Sequence, residues 1–300
     1  MTQKTGISLG AFQRKYDDFR MLEIAKEIGA EYIDFALDYL TAANPDHIYA
    51  KSDAEIRAYY TRVREYADSL GVKISQTHGR FGNFTNIPEK DEIYIENSRI
   101  DCMATAILGA PVSVVHNVNV DPVEPEAVHF EVGFNRFACV MPFAKEYGVK
   151  IATETFGDDK KWGGPLCYFG DITPYKKFYE LVKSTGDNAE YFTMCLDTGH
   201  TNMASRYPTQ PSVADFVRAC GSEITVLHIH DNNSLDDEHK IPRWGTIDWK
   251  DLIAALSEVG YTGVYSLENS FGHFGPDFEK ETAEFSLKVL RNLIAHYDMR

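Results

Sequence analysis

The 300-residue chain holds 30 lysines and arginines against 45 aspartates and glutamates, a formal charge of −15, and 44% of it is hydrophobic. That length and apolar content suffice for one large core, while the acidic balance disfavours extended contact with nucleic acid or anionic membrane, both of which reward basic surface. No stretch of 18 apolar residues occurs, and the opening MTQKTGISLG lacks the basic-then-apolar pattern of a leader, so a soluble, cytoplasmic chain is expected.

Along the chain, GISLG at 6–10 reads as a first strand. A unit then recurs: a helical stretch, a turn often marked by glycine, and a β-rich apolar run ending in a polar residue. It is visible in LEIAKEIGAEYIDF (22–35), VREYADSLGVKISQTH (63–78), MATAILGAPVSVVH (103–116), CVMPFAKEYGVKIATE (139–154) and LIAALSEVGYTGVYSLE (252–268). Glycine just past a helix supplies the left-handed cap that turns the chain into the next strand. The polar residues closing the runs are Asp34, His78, His116, Glu154, Asp197, His228 and Glu268, at gaps of 44, 38, 38, 43, 31 and 40 residues. Each gap fits one strand–helix crossover with its loops. Strands alternating with helices imply a parallel sheet, and eight of them close into a (β/α)8 TIM barrel: an α/β fold, with residues 1–300 as a single domain. The five cysteines (Cys102, Cys139, Cys167, Cys195 and Cys220) are odd in number and form no CxxC, which argues against a disulfide framework.

Any strand can end in a polar residue, because that is where the chain leaves the core. Serine, threonine or asparagine would serve equally, yet these seven positions hold only Asp, Glu and His. Barrel enzymes place their chemistry at the C-terminal ends of the strands. KIATE ending at 154, FTMCLD at 197, ITVLH at 228 and VYSLE at 268 each deliver one ligand-type side chain there. Three carboxylates at one barrel mouth repel one another and need a cation to be ionised together. Three oxygens and one imidazole suit Mn2+, Mg2+, Co2+ or Zn2+. The alternative is that each carboxylate pairs with its own lysine or arginine, although none closes a neighbouring strand. His230 competes with His228 for the imidazole position, since residues two apart on a strand face the same way.

QTHG (76–79), VVHN (114–117), TETF (153–156), CLDTGH (195–200), LHIHDN (227–232), DEHKIP (237–242) and SLEN (266–269) together resemble the xylose-isomerase-like barrel superfamily. That group holds sugar isomerases, ketose 3-epimerases, inositol-pathway enzymes and the endonuclease IV family. The likeness runs from GISLG to the last helix. It implies that Glu154, Asp197, His228 and Glu268 are the metal ligands. Its His–x–x–Asp pattern, here His228 to Asp231, favours His228 and leaves His230 as a pocket residue. In the endonuclease IV family, residues matching His78, His116, His200, Asp237 and His239 complete a three-zinc cluster; in the epimerases several counterparts bind substrate oxygens.

The resemblance implies a sugar, sugar phosphate or polyol substrate, isomerised or epimerised by metal-assisted proton transfer between Glu154 and Glu268. His200 and His230, with the aromatic rings of Trp162 and Phe12, are the expected substrate contacts. Other aromatics fall in presumed loops: Phe81, Phe84, Phe156, Trp244, Phe271 and Phe274. The loop DNNSLDDEHKIPRWG is acidic where the epimerases carry an arginine, with Arg243 the nearest substitute. The rival readings are an endonuclease IV-like zinc phosphodiesterase acting on abasic DNA, and a metal-dependent lyase or hydrolase of a polyol. Few phosphate-gripping cations stand in the loops, which counts against the nuclease. Enzymes of this shape often pair through outer helices, so a homo-oligomer is an expectation.

Overall fold

The computed structural model describes residues 3–82, 84–118, 120–121, 123–157 and 166–300. Eight strands follow one another: β1 (Thr5–Ser8), β2 (Tyr32–Ala36), β3 (Lys73–His78), β4 (Val112–Val115), β5 (Lys150–Glu154), β6 (Phe192–Asp197), β7 (Ile224–His228) and β8 (Tyr265–Leu267). Around them run α1 (Gly10–Lys15), α2 (Asp18–Glu27), α3 (Asp53–Leu70), α4 (Pro88–Leu108), α5 (Glu126–Tyr147), α6 (Ile172–Thr185), α7 (Thr198–Ser205), α8 (Val213–Cys220), α9 (Trp249–Glu258) and α10 (Glu279–Tyr297).

From β1 to β7 each strand pairs in parallel with its chain neighbour, and β1 also pairs with β8. A parallel bridge between Ile229 and Leu267, just past β7, joins the remaining edges, so the sheet closes into a (β/α)8 barrel. The closure is carried by Ile229 N donating to Ser266 O (2.8 Å) and Glu268 N donating to Ile229 O (2.9 Å). The glycine turns behave as expected: Gly71, Gly109 and Gly148 cap α3, α4 and α5 at φ 73°, 76° and 69° and lead into β3, β4 and β5.

The main apolar layer lies between strands and helices, with Ile33, Phe35, Tyr60, Phe137, Phe178, Leu227 and Leu287 among its buried members. A second, small cluster of Val112, Val114, Ala152, Cys195 and Val226 occupies the barrel interior and forms the floor beneath the polar mouth. Among the described residues, no helix is long and apolar enough to cross a membrane.

Two boundaries differ from expectation. The first strand ends at Ser8 rather than Gly10, because Gly10 already opens α1. Asp34 does not close its strand; β2 runs on to Ala36, which leaves the Asp34 side chain inside the barrel at 0% exposure. His116 and Glu268 stand one residue past β4 and β8.

Candidate metal centre

The strand ends bring Glu154, Asp197, His228 and Glu268 together, with one ligand-type atom from each lying within 4.8 Å of the others. His228 Nδ1 is 2.8 Å from Glu154 Oε1 and 3.4 Å from Glu268 Oε2. Glu154, Asp197 and His228 are buried; Glu268 stands partly open at the mouth. Among the described residues, no lysine or arginine pairs with any of the three carboxylates; their ion-pair partners are all histidines.

Asp197 both ends β6 and caps α7: its Oδ1 accepts from His200 N at 2.6 Å. The DTGH sequence folds in this way because an aspartate N-cap satisfies an orphan helix donor, and the same turn lifts His200 to the mouth. Gly199 is required inside it, since a Cβ there would lie 1.9 Å from the His230 ring. After β7 the chain loops out and returns by an antiparallel bridge between Asp231 and Lys240. Asp231 anchors that loop, accepting from Trp249 Nε1 (2.7 Å) and Arg243 N (2.9 Å). The returning segment carries Asp237 and His239 over the mouth.

Four further groups of ligand-type atoms form beside the first, two of them built on buried His228, with Asp34 and His78 or with Glu154 and Cys195. Of the other two, His78, His116 and Glu154 make one; His200, His230, Asp237 and His239 make the other. In the former, His78 Nε2 faces His116 Nε2 at 3.3 Å, and His116 Nε2 lies 2.8 Å from Glu154 Oε2. That spacing matches neighbouring ligands on one ion, since two nitrogens about 2.1 Å from zinc in a tetrahedron stand roughly 3.4 Å apart. Glu154 Oε2 is buried and faces the imidazole nitrogens of His116 and, beyond it, His78. A buried carboxylate gathered with imidazole nitrogens is a donor set that fits a divalent ion.

Ring nitrogens on the far sides are spoken for. His200 Nδ1 donates to Thr155 O (2.9 Å) and His239 Nδ1 to Glu268 O (2.7 Å), which turns both Nε2 atoms towards Asp237 (3.4 and 3.2 Å). His228 Nε2 lies 3.0 Å from Asp34 Oδ2, leaving Nδ1 for the four-residue set. Such outer partners fix the tautomer and aim of a ligating histidine. Gln76 in turn donates to Asp34 at 3.1 Å. Asp34 is one of the seven polar strand-end residues of the sequence, and its contact with His228 gives it this orienting place.

Charge in the mouth is mutually sustained. Burial alone would raise the Glu154 carboxyl, but His116 and His228 hold it well below the usual range. Asp197 is likewise pulled down, against burial, to about 2 by His200 and His230. Burial would lower His239, yet Asp237 and Glu268 lift it to about 10. Carboxylates able to hold protons on buried imidazoles are equally able to hold a dication in their place.

His230 is fully buried, stacks on His239 (centroids 3.9 Å apart, 11° between planes) and contacts Asp197 at 2.9 Å. It joins the Asp237 group rather than the His228 group. Phe12 is buried and stacked on Phe271 at 5.3 Å. Trp162 lies outside the described residues. Phe81, half exposed, covers His78 (4.9 Å) and His116 (4.1 Å), and Phe156 meets His116 edge-on at 5.9 Å. These two rings wall the mouth.

A closed parallel barrel with Asp, Glu and His converging at its strand ends defines a TIM-barrel protein with candidate metal clusters. The family model described as the xylose isomerase-like TIM barrel matches residues 22–293, and the chain belongs to that family. It is 30% identical over 217 residues to an uncharacterized protein of Methanocaldococcus jannaschii, covering 69% of this chain and 68% of the other. It is 29% identical over 156 residues to an inosose isomerase of Halalkalibacterium halodurans, spanning 50% of this chain and about half of the relative, 48%. Among solved structures, an IOLI protein with a binding zinc atom superposes with a TM-score of 0.72 at 19% identity, covering 99% and 100% of the two chains.

Proposed function

We infer that the protein is a divalent-metal-dependent isomerase or epimerase of a sugar, sugar phosphate or polyol. The convergence of Glu154, Asp197, His228 and Glu268 within one coordination sphere carries this reading. Family membership and the similarity to an inosose isomerase support the reaction class, and the zinc in a structure of the same fold supports the ion. Mn2+, Mg2+, Co2+ and Zn2+ all suit the donor set.

A bound divalent ion would polarise a substrate carbonyl and its neighbouring hydroxyl, lowering the pKa of the C–H beside them. Glu154 and Glu268 each turn one oxygen to His228 and the other towards His116 or His78. Those outer oxygens are the candidates to remove and return the proton, one from each side of the substrate. His200, partly exposed at the mouth with its Nε2 3.4 Å from Asp237, would hold a substrate hydroxyl. Phe81 and Phe156 would keep water from the reacting carbon.

The test is solvent exchange. Incubation in heavy water with ketoses and inososes should introduce deuterium beside the carbonyl, and Glu268→Gln should slow it. Failure of any such substrate to exchange, with metal bound, argues against proton transfer. A second reading draws on the His78–His116–Glu154 and His200–His230–Asp237–His239 groups: with an ion in each, the mouth would suit phosphodiester hydrolysis, as in the endonuclease IV family. Nicking of an abasic-site duplex, with three zinc ions per chain, would favour it.

A further inference from the structure

The opposite end of the barrel contains a second cavity, of about 700 Å3, on the face where the strands begin. Its rim is cationic in a protein of net charge −15: Lys4, Arg64, Lys73 and Lys150 line it against Glu190 as the one acidic residue. Lys4 directly precedes β1, while Lys73 and Lys150 are the first residues of β3 and β5, so the closing of the sheet brings them to one ring.

Three of these cations are positioned by the fold. Lys4 and Lys73 both approach the ring of Tyr32, at 6.0 and 5.8 Å from its centroid. The Arg64 guanidinium lies over Gly109, where a Cβ would meet it at 1.4 Å, and donates to Leu108 O at 2.5 Å. Arg64 also pairs with Asp68 at 2.9 Å, so only part of its charge is available. Among the described residues, Lys4, Lys73 and Lys150 form no ion pair. Gathering like charges at one rim is unfavourable unless something answers them.

Inside the rim the walls become apolar, with Ile74, Val112, Val226 and Val264, and the cavity ends at Gln76, which is 1% exposed. A cationic ring over an apolar neck complements an anion with a compact apolar body. We propose that this cavity binds a phosphate monoester, its dianionic group held by the lysine ring and its organic part in the barrel neck. The Val112–Val114–Ala152–Cys195–Val226 layer lies between it and the metal centre, crossed by one polar link, Gln76 donating to Asp34, which contacts His228.

Phenyl phosphate is the probe, titrated calorimetrically into the protein as purified. The expected result is a saturable site binding phenyl phosphate more tightly than inorganic phosphate. Its affinity should fall about tenfold or more in Lys73→Glu/Lys150→Glu, less in Lys73→Gln/Lys150→Gln, and hold in His228→Ala. Absence of saturation below about 10 mM overturns the proposal. So does undiminished binding in both lysine variants, or loss of binding in His228→Ala, which would assign the phosphate to the metal centre. Lysine variants that change only the melting temperature would mean that the ring answers the helix C-termini ending on this face, and the proposal falls.

Discussion

The two ends of the barrel are built from the same strands and carry opposite chemistry. Where β3 and β5 begin stand Lys73 and Lys150; where they end stand His78 and Glu154. The starting face holds cations around an apolar neck, whereas the finishing face holds carboxylates and imidazoles that compensate one another. A parallel barrel can thus carry opposite charge on its two faces with a thin apolar layer between them, bridged here by the Gln76–Asp34–His228 chain. Substitutions of the lysines at one end should leave the carboxylates and imidazoles at the other untouched.

The largest effect is expected from His228→Ala. It removes the only imidazole of the four-residue set, and isomerase activity should drop at least about a thousandfold, on the order of 4 kcal/mol, with loss of bound metal by elemental analysis. Glu268→Gln keeps the shape but removes one of the two proposed proton-transfer groups, and kcat should fall by roughly 10²–10⁴. Asp34→Asn lies outside the four-residue set. By unfixing His228 it should weaken metal affinity about 10- to 100-fold, read by chelator competition, with the fold intact by circular dichroism. Gly199→Ala drives a methyl into the His230 ring and should destabilise the protein by about 1–3 kcal/mol in denaturant unfolding. Lys73→Gln/Lys150→Gln, at the other face, should leave metal content unchanged and stability within about 0.5 kcal/mol. A metal-content change in that last variant would break the comparison.

Much of the finishing face was legible in the sequence. Strand periodicity and glycine caps located the residues that meet there, because each strand carries its own signal and the barrel only has to gather the ends. Pairings across the barrel were not legible. Asp34 and His228 are 194 residues apart, and no local pattern says that a carboxylate on β2 will orient an imidazole on β7. His230 shares its strand direction with His228, yet the turn after β7 sends it to the Asp237 group. Phe12 read as a rim aromatic and proved buried against Phe271, since loop packing depends on which loops meet. The lysine ring was invisible for the same reason, each lysine being unexceptional until the sheet closes.

The most direct measurement is the divalent metal content of protein purified without chelator, compared between the wild type and His228→Ala. At least one ion per chain is expected in the wild type, and its loss in the variant. A wild type with no bound ion after exposure to Mn2+, Co2+ and Zn2+, or a variant that binds as well as the wild type, would contradict it.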